Sequence, residues 1–186
     1  MAKHLRVSEK EKTSFEKMKS DFHYKNAMAA PRMQKVVINT GTGTAIKKDP
    51  KKNEAISERL AKITGQKAAL RGAKKSISTF KIREGDPIGL VVTLRGKRMY
   101  TFLEKLINVA LPRTKDFRGI PRKAVDNVGN LTLGIKEHTI FPETADEDIK
   151  DVFGMSITLV STAKNKKEGL AFFELLGIPF QKEAKK

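Results

Sequence analysis

Nine basic side chains crowd the stretch between residues 67 and 98: Lys67, Arg71, Lys74, Lys75, Lys81, Arg83, Arg95, Lys97 and Arg98, opposed only by Glu84 and Asp86. They are interleaved with Gly72, Ser76, Ser78 and Thr79. That mixture suits phosphate recognition, because Lys and Arg supply charge, hydroxyls add donors, and glycine lets backbone come close. A plain solvated loop would not need such a density of charge. Phe80, inside the same stretch, could stack on an exposed base or anchor the segment to the core, and its alternation with Ile82 favours the anchor. A second candidate is Gly41-Thr42-Gly43, which follows an apolar run as a phosphate loop would. It lacks the third glycine of a dinucleotide site and the Gly-Lys-Ser/Thr of a triphosphate site, so it reads as a strand-ending turn.

The other reactive groups are scattered. His4, His23 and His138 lie far apart and show no metal-ligand spacing. The acidic stretch from Glu143 to Asp151 lacks the spaced ligands and central glycine of a calcium loop, and reads as a solvated helix start or a protein contact. No Ser-His-Asp constellation can be argued from spacing. The chain has no cysteine, which excludes disulfides and cysteine-based zinc sites. The sequence therefore predicts no catalytic residue, no metal site and no cofactor, and the protein is expected not to be an enzyme.

Charge narrows the partner. In 186 residues, Lys and Arg total 38 against 21 Asp and Glu, for a net charge of +17. A compact domain so charged repels itself until a polyanion neutralises it, and nucleic acid takes up many Lys and Arg at once. An anionic membrane would need an amphipathic helix or a lipid anchor. Neither is visible, and no apolar run approaches the roughly 20 residues of a membrane span. Basic residues near the start are not followed by the apolar segment of a secretory signal, so a cytoplasmic location and no membrane partner are expected. Aromatic residues make up only 6% of the chain, fewer than a stacking-based single-strand binder would use. Recognition of a folded RNA by shape and phosphate fits better, and no helix-turn-helix or zinc finger points to DNA.

Periodicity supplies the elements that must position these groups. Residues 8–24 read as a helix with Ser8 and Glu11 as a capping box, and Phe15, Met18 and Phe22 on one face. Residues 31–40 read as a strand, with Val36 and Ile38 on one side and Lys35, Val37 and Asn39 on the other. Asp49-Pro50 starts a second helix that buries Ile56, Leu60 and Ile63 and stops at Gly65. Residues 67–71 form a short strand, 72–86 a long basic hairpin arm, and 88–95 a strong strand. Residues 97–111 form a third helix, with Met99, Leu103, Leu106 and Ala110 as its stripe and Phe102 beside it. Residues 113–130 read as irregular, Leu131, Leu133 and Ile135 as a strand, 136–155 as a long connection, 156–162 as the last strand, and 167–176 as the final helix. The predicted fold is α+β: one domain over 1–186, tails at 1–7 and 181–186, and a mainly antiparallel sheet with helices packed on one face and the other left open for RNA.

Several blocks together resemble a known family. Pro31-Arg-Met-Gln-Lys-Val-Val-Ile-Asn-Thr-Gly-Thr-Gly43 is similar to the first-strand motif of the fifth large-subunit ribosomal protein family, the 5S rRNA binders of the central protuberance. The similarity continues through Thr64-Gly-Gln-Lys67, the run 73–89, Val92-Thr-Leu-Arg-Gly-Lys-Arg-Met99, Pro112-Arg-Thr-Lys-Asp-Phe-Arg-Gly119, the run 129–137, Ile140-Phe-Pro-Glu143, Thr162-Ala-Lys164 and Pro179-Phe180. The blocks run in family order over nearly the whole chain, and the Pro-Phe ending matches the bacterial form.

The resemblance implies a structural constituent of the large ribosomal subunit. It implies that the open sheet face and first strand hold 5S rRNA through Arg32, Lys35, Asn39, Thr40, Gly41, Thr42 and Gly43, with Lys67, Arg71, Arg95 and Arg98 as further contacts. It implies that the arm (Lys74, Lys75, Ser76, Ser78, Thr79, Phe80, Lys81 and Arg83) reaches peptidyl-site tRNA. It implies that the connection after the Gly129 strand faces the thirteenth small-subunit ribosomal protein at an intersubunit bridge. The expected neighbours are 23S rRNA and the other large-subunit proteins of the central protuberance. Two readings from other classes compete. An RNA-modifying enzyme would need a cofactor pocket or an acid-base pair, and a nonspecific nucleic-acid chaperone would carry its charge in disordered tails.

Overall fold

The computed structural model describes residues 6–43, 52–115, 117–144 and 152–181. Five strands form one sheet in the order β2–β3–β1–β5–β4: β1 is Met33–Gly41, β2 Ala69–Gly72, β3 Pro87–Leu94, β4 Leu131–Ile135 and β5 Met155–Ser161. β2 pairs antiparallel with β3, Arg71 opposite Gly89. Thr42 N–H donates to the Ile88 carbonyl at 2.9 Å, joining the end of β1 to the start of β3. Thr162 N–H donates to the Arg32 carbonyl at 2.9 Å, joining the end of β5 to the start of β1. The Thr132 and Thr158 hydroxyls meet at 3.1 Å, and Ser161 N–H donates to the Asn130 side chain at 3.2 Å. Neighbouring strands thus run in opposite directions throughout, and the fold is α+β with an antiparallel sheet, as expected.

Strand alternation produces two unlike sides. Val36, Ile38, Leu90, Val92, Leu94, Ile157 and Leu159 are buried, and the intervening positions are half-buried or exposed.

Contacts divide the chain into two compact units. The first comprises the described parts of Met1–Val36, Arg95–Leu133 and Thr158–Lys186. It holds α1 (Val7–Lys12), α2 (Ser14–Phe22), α4 (Gly96–Lys105) and α5 (Lys166–Leu176). α1 packs on α4 and α5, and α2 on α5. Val7, Met18, Met99, Phe102, Leu103, Phe172, Phe173 and Leu176 fill the space between them. The long helix expected over 8–24 is broken at Thr13. Its cap also lies earlier than expected: Arg6 N–H donates to the Glu9 carboxylate at 3.0 Å, leaving Ser8 inside the helix. The helix expected over 97–111 ends in a π-turn, Leu106–Ala110, with Leu111 N–H reaching the Leu106 carbonyl at 2.9 Å. α5 carries a reciprocal cap, in which Asn165 accepts from Glu168 N–H at 2.9 Å and the Glu168 carboxylate accepts from Lys164 N–H at 2.7 Å. The Tyr24 hydroxyl donates to the same buried carboxylate.

The second unit comprises the described parts of Val37–Leu94 and Gly134–Ile157. α3 (Lys52–Thr64) lies against β3 and the 3₁₀ turn Pro142–Thr144, burying Ile56, Leu60 and Ile63 as the periodicity predicts. The expected cap at Asp49-Pro50 lies outside the described residues, as does the acidic run from residue 145 to 151.

Candidate nucleic-acid interface

On β1 the expected site residues fall on both sides of the sheet. Lys35, Asn39 and Gly41 alternate with the buried residues and face outward. Thr40 and Thr42 do not: their side chains are 1% and 0% exposed. The family motif implies contacts along the whole run 39–43, but the two-residue period of a strand buries every second residue. Neither threonine hydroxyl can reach an RNA on the outward side.

Gly41 has nothing within 4 Å of where a Cβ would stand. Packing inside the protein therefore does not require glycine there. What glycine does at that position is leave the outward backbone bare. Gly43 is less open, with Ile88 carbons at 3.8 and 3.9 Å from a notional Cβ.

The same outward side continues onto β3 and β2. A Cβ at Gly89 would sit 3.4 Å from the Thr40 carbonyl and 4.0 Å from the Arg71 Cβ. Arg71 thus rises beside a glycine floor that abuts β1, with its side chain exposed. Thr93, four positions further along β3, shares the parity of Gly89. Its carbonyl accepts from the Gln66 side-chain amide at 3.2 Å. Gln66 N–H in turn donates to the Thr64 hydroxyl at 3.2 Å, which donates to Leu60 O at 2.7 Å. Gln66, Gly89 and Thr93 were not singled out from the sequence, although parity along β3 would have found the latter two. Lys67 is exposed on the run into β2.

The arm is an ordered hairpin. At its base Ala73 N–H donates to Asp86 O at 2.9 Å and Gly85 N–H to Ala73 O at 3.0 Å. Midway, Ile77 and Ile82 exchange backbone bonds of 2.9 and 3.2 Å. The tip is a 3₁₀ turn, Ser78–Phe80, closed by Lys81 in the left-handed region at φ 50. The two opposing acids sit at the base of this hairpin: the Asp86 carboxylate accepts from Arg83 N–H at 2.7 Å, and Glu84 N–H donates to the Ser76 hydroxyl at 2.9 Å. Lys74, Lys75, Ser76, Ser78, Thr79, Phe80, Lys81 and Arg83 are all exposed. Phe80 is 57% exposed, so the anchoring role favoured by its alternation with Ile82 does not hold. Its ring faces solvent far more than a core anchor would.

In the first unit Arg32 is pinned at the start of β1, its N–H donating to the Thr162 hydroxyl at 2.8 Å. Its charge acts on Glu11, whose carboxylate accepts from the Tyr100 hydroxyl at 2.9 Å. Burial pushes the Glu11 carboxyl above its usual range, against the opposing pull of Tyr100, the Met33 backbone and Arg32. Burial, aided by Glu11, pushes the Tyr100 phenol up to about 12. Arg95, Lys97 and Arg98 are exposed at the N-terminal end of α4, where the first turn holds no acid. Cations at the positive end of a helix dipole oppose its field, typically by roughly 0.3–1 kcal/mol each. A helix built this way fits an anionic partner better than a bare surface.

The two described histidines, His23 and His138, serve structure. His23 is an exposed left-handed C-cap of α2. His138 is buried, stacks on Phe153 at 4.2 Å and accepts from Phe153 N–H at 3.3 Å. His4 lies outside the described residues. Thr42 continues the pairing with β3, so Gly41–Gly43 ends a strand rather than opening a nucleotide loop. Among the described residues no three His, Cys, Asp or Glu side chains converge, and no helix is long and apolar enough to cross a membrane.

Comparison with known proteins covers nearly the whole chain. Residues 26–83 match the family model described as Ribosomal protein L5, and residues 87–180 match the ribosomal L5P family C-terminus. The chain is 52% identical to the Large ribosomal subunit protein uL5 of Trichlorobacter lovleyi, over 89% of this chain and 92% of that one. It is 53% identical to the protein of the same name from Desulfatibacillum aliphaticivorans, with the same coverage. The corresponding protein of Mycoplasma mycoides is 51% identical, over 87% of this chain and 89% of that one.

Proposed function

The chain belongs to the ribosomal protein L5 family, and from that premise we propose that it binds 5S rRNA through the outward side of β1, β2 and β3 and reaches peptidyl-site tRNA with its arm. Membership makes it a structural constituent of the large ribosomal subunit and not an enzyme, with its place in the cytoplasmic ribosome. The finer assignment rests chiefly on one observation, the outward strip on which Arg71 stands beside Gly89 and next to β1. The exposed backbone of Gly41, with Lys35 and Asn39 four positions apart on the outward side of the same strand and Arg71 exposed on β2, offers an RNA close approach, charge and a hydrogen-bonding amide at once. Arg32, Arg95 and Arg98 on the first unit and Lys67 on the second are further proposed contacts, and Gly43 offers backbone, whereas Thr40 and Thr42 are buried and offer none. The exposed arm carries Lys74, Lys75, Lys81 and Arg83 around Phe80, a composition suited to phosphates and one stacked base. The connection from residue 136 to 155 is the proposed contact with the thirteenth small-subunit protein, with Glu137, Pro142 and Glu143 exposed on it. Proximity to 23S rRNA and other proteins of the central protuberance follows from the same assignment.

The test is a pull-down of the full chain from lysate treated to dissociate subunits. Enrichment of 5S rRNA over other RNAs is the expected result, and recovery of RNA in proportion to its abundance would overturn the assignment.

A further inference from the structure

Residues 113–130 contain a feature with no local sequence signal. Ile120 pairs in parallel with Phe180, its N–H donating to Pro179 O at 2.8 Å and its carbonyl accepting from Gln181 N–H at 2.9 Å. Gly119 is fixed at φ +94, and a Cβ there would lie 2.8 Å from the backbone of Phe180 and Gln181. Only glycine permits both that conformation and that approach. Between the two clamped segments lies an open groove of about 730 Å³, lined by Phe117, Arg118, Gly119, Pro179, Phe180 and Gln181. The groove lies wholly in the first unit.

We propose that this groove receives an unpaired RNA base, a contact separate from the β1–β3 strip. Phe117 and Phe180 are half-buried rings on opposite segments, Arg118 is an exposed guanidinium, and Gln181 is an exposed amide. Stacking surface, cation and a donor-acceptor group are the elements that hold a splayed base. The surroundings favour a nucleic acid over an acidic peptide or an apolar one. Arg113, Lys115, Arg118, Arg122 and Lys123 meet only Asp116 and Asp126 as acids between residues 113 and 130, and Arg122 pairs with Glu174 at 2.7 Å. Such charge suits a phosphodiester backbone running past a seated base. The inference rests on the RNA-binding reading and adds a base-selective site to it.

The chain has no tryptophan, so Phe180→Trp in the full chain places a single indole in the groove. Its emission is followed while single-stranded oligoadenylate is added, and filter retention reads total RNA binding in parallel. Emission should be quenched over the concentration range of retention, and Phe180→Leu should weaken oligoadenylate binding about tenfold, the scale of one lost base-aromatic stack. Isolated 5S rRNA should still be retained by Phe180→Leu. Phe117→Trp gives the same readout from the opposite wall if Phe180→Trp fails to fold. Retention without any change in emission from a folded variant overturns the groove site while leaving RNA binding intact. Equal quenching by polyglutamate overturns it as well, since the groove would then read negative charge and not bases. Loss of retention for every RNA overturns both readings.

Discussion

Gly72→Ala tests how the arm is set on the sheet. Gly72 is the last residue of β2, at the point where the pairing with β3 shifts register. A Cβ there would lie 2.9 Å from the Gly85 carbonyl oxygen, 3.2 Å from its carbon and 3.3 Å from its Cα. All three atoms are backbone, so no side chain can swing away to make room. Overpacking of this kind typically costs about 1–3 kcal/mol. Replacing glycine also restricts the unfolded chain, which returns about 0.4–1 kcal/mol. A net loss of about 1–2 kcal/mol follows, or roughly 2–8 °C in Tm for a chain of this size. Much of the strain can be relieved by moving the arm, because the Ala73–Asp86 and Gly85–Ala73 bonds at its base lie next to the clash. The variant should therefore show faster amide exchange at Ala73 and Gly85, while the amides of Val92 and Leu94 keep their protection. Its contact with tRNA should weaken, and its affinity for 5S rRNA should hold. Wild-type Tm together with wild-type exchange at Ala73 and Gly85 would refute the reasoning, since the close approach would then carry no energy.

Three further perturbations probe other parts of the molecule. Asn165→Ala removes the acceptor for Glu168 N–H and should cost about 1 kcal/mol, read as a lower Tm with unchanged RNA affinity. Phe80→Ala, at a position 57% exposed, should change stability by no more than about 0.5 kcal/mol but weaken tRNA contact, and a large loss of stability would show that the ring is an anchor after all. Glu11 has a pH signature. Its folded-state pKa is raised above the unfolded value, so the folded state takes up the proton first and the Glu11 contribution to stability grows as pH falls from neutral toward the ordinary carboxylate range. In Glu11→Gln this dependence should vanish, so wild type should gain Tm relative to the variant between pH 7 and about pH 4.5; a constant difference would contradict the burial of the charge.

Local pattern carried much of the architecture. Alternation at Val36 and Ile38, and at Leu131, Leu133 and Ile135, marks strands because one side of each must be buried. The stripe of Met99, Leu103, Leu106 and Ala110 marks a helix for the same reason. The failures share a different cause. The break at Thr13 and the π-turn at Leu106–Ala110 conserve the apolar face, so periodicity passes through them unchanged. The pairing of Ile120 with Phe180 joins segments distant in sequence, and nothing local announces it. Thr40 and Thr42 belong to the same contiguous motif as Asn39 and Gly41, but the strand inside it exposes only alternate residues and buries both threonines. Arg71 and Gly89 became neighbours only through the β2–β3 register, which the sequence did not specify.

Equilibrium titration of isolated 5S rRNA over a series of salt concentrations examines the central claim most directly. The wild-type protein is compared with the double variant Lys35→Ala, Asn39→Ala and with the triple variant Lys74→Ala, Lys75→Ala, Lys81→Ala. Wild-type affinity should fall linearly on logarithmic axes, and the double variant should bind more weakly with a slope reduced by about 0.7–0.9, the share of one lost phosphate contact. The arm variant should match wild type. Affinity indifferent to salt, or equal losses in the two variants, would contradict an interface carried by the outward side of β1, β2 and β3.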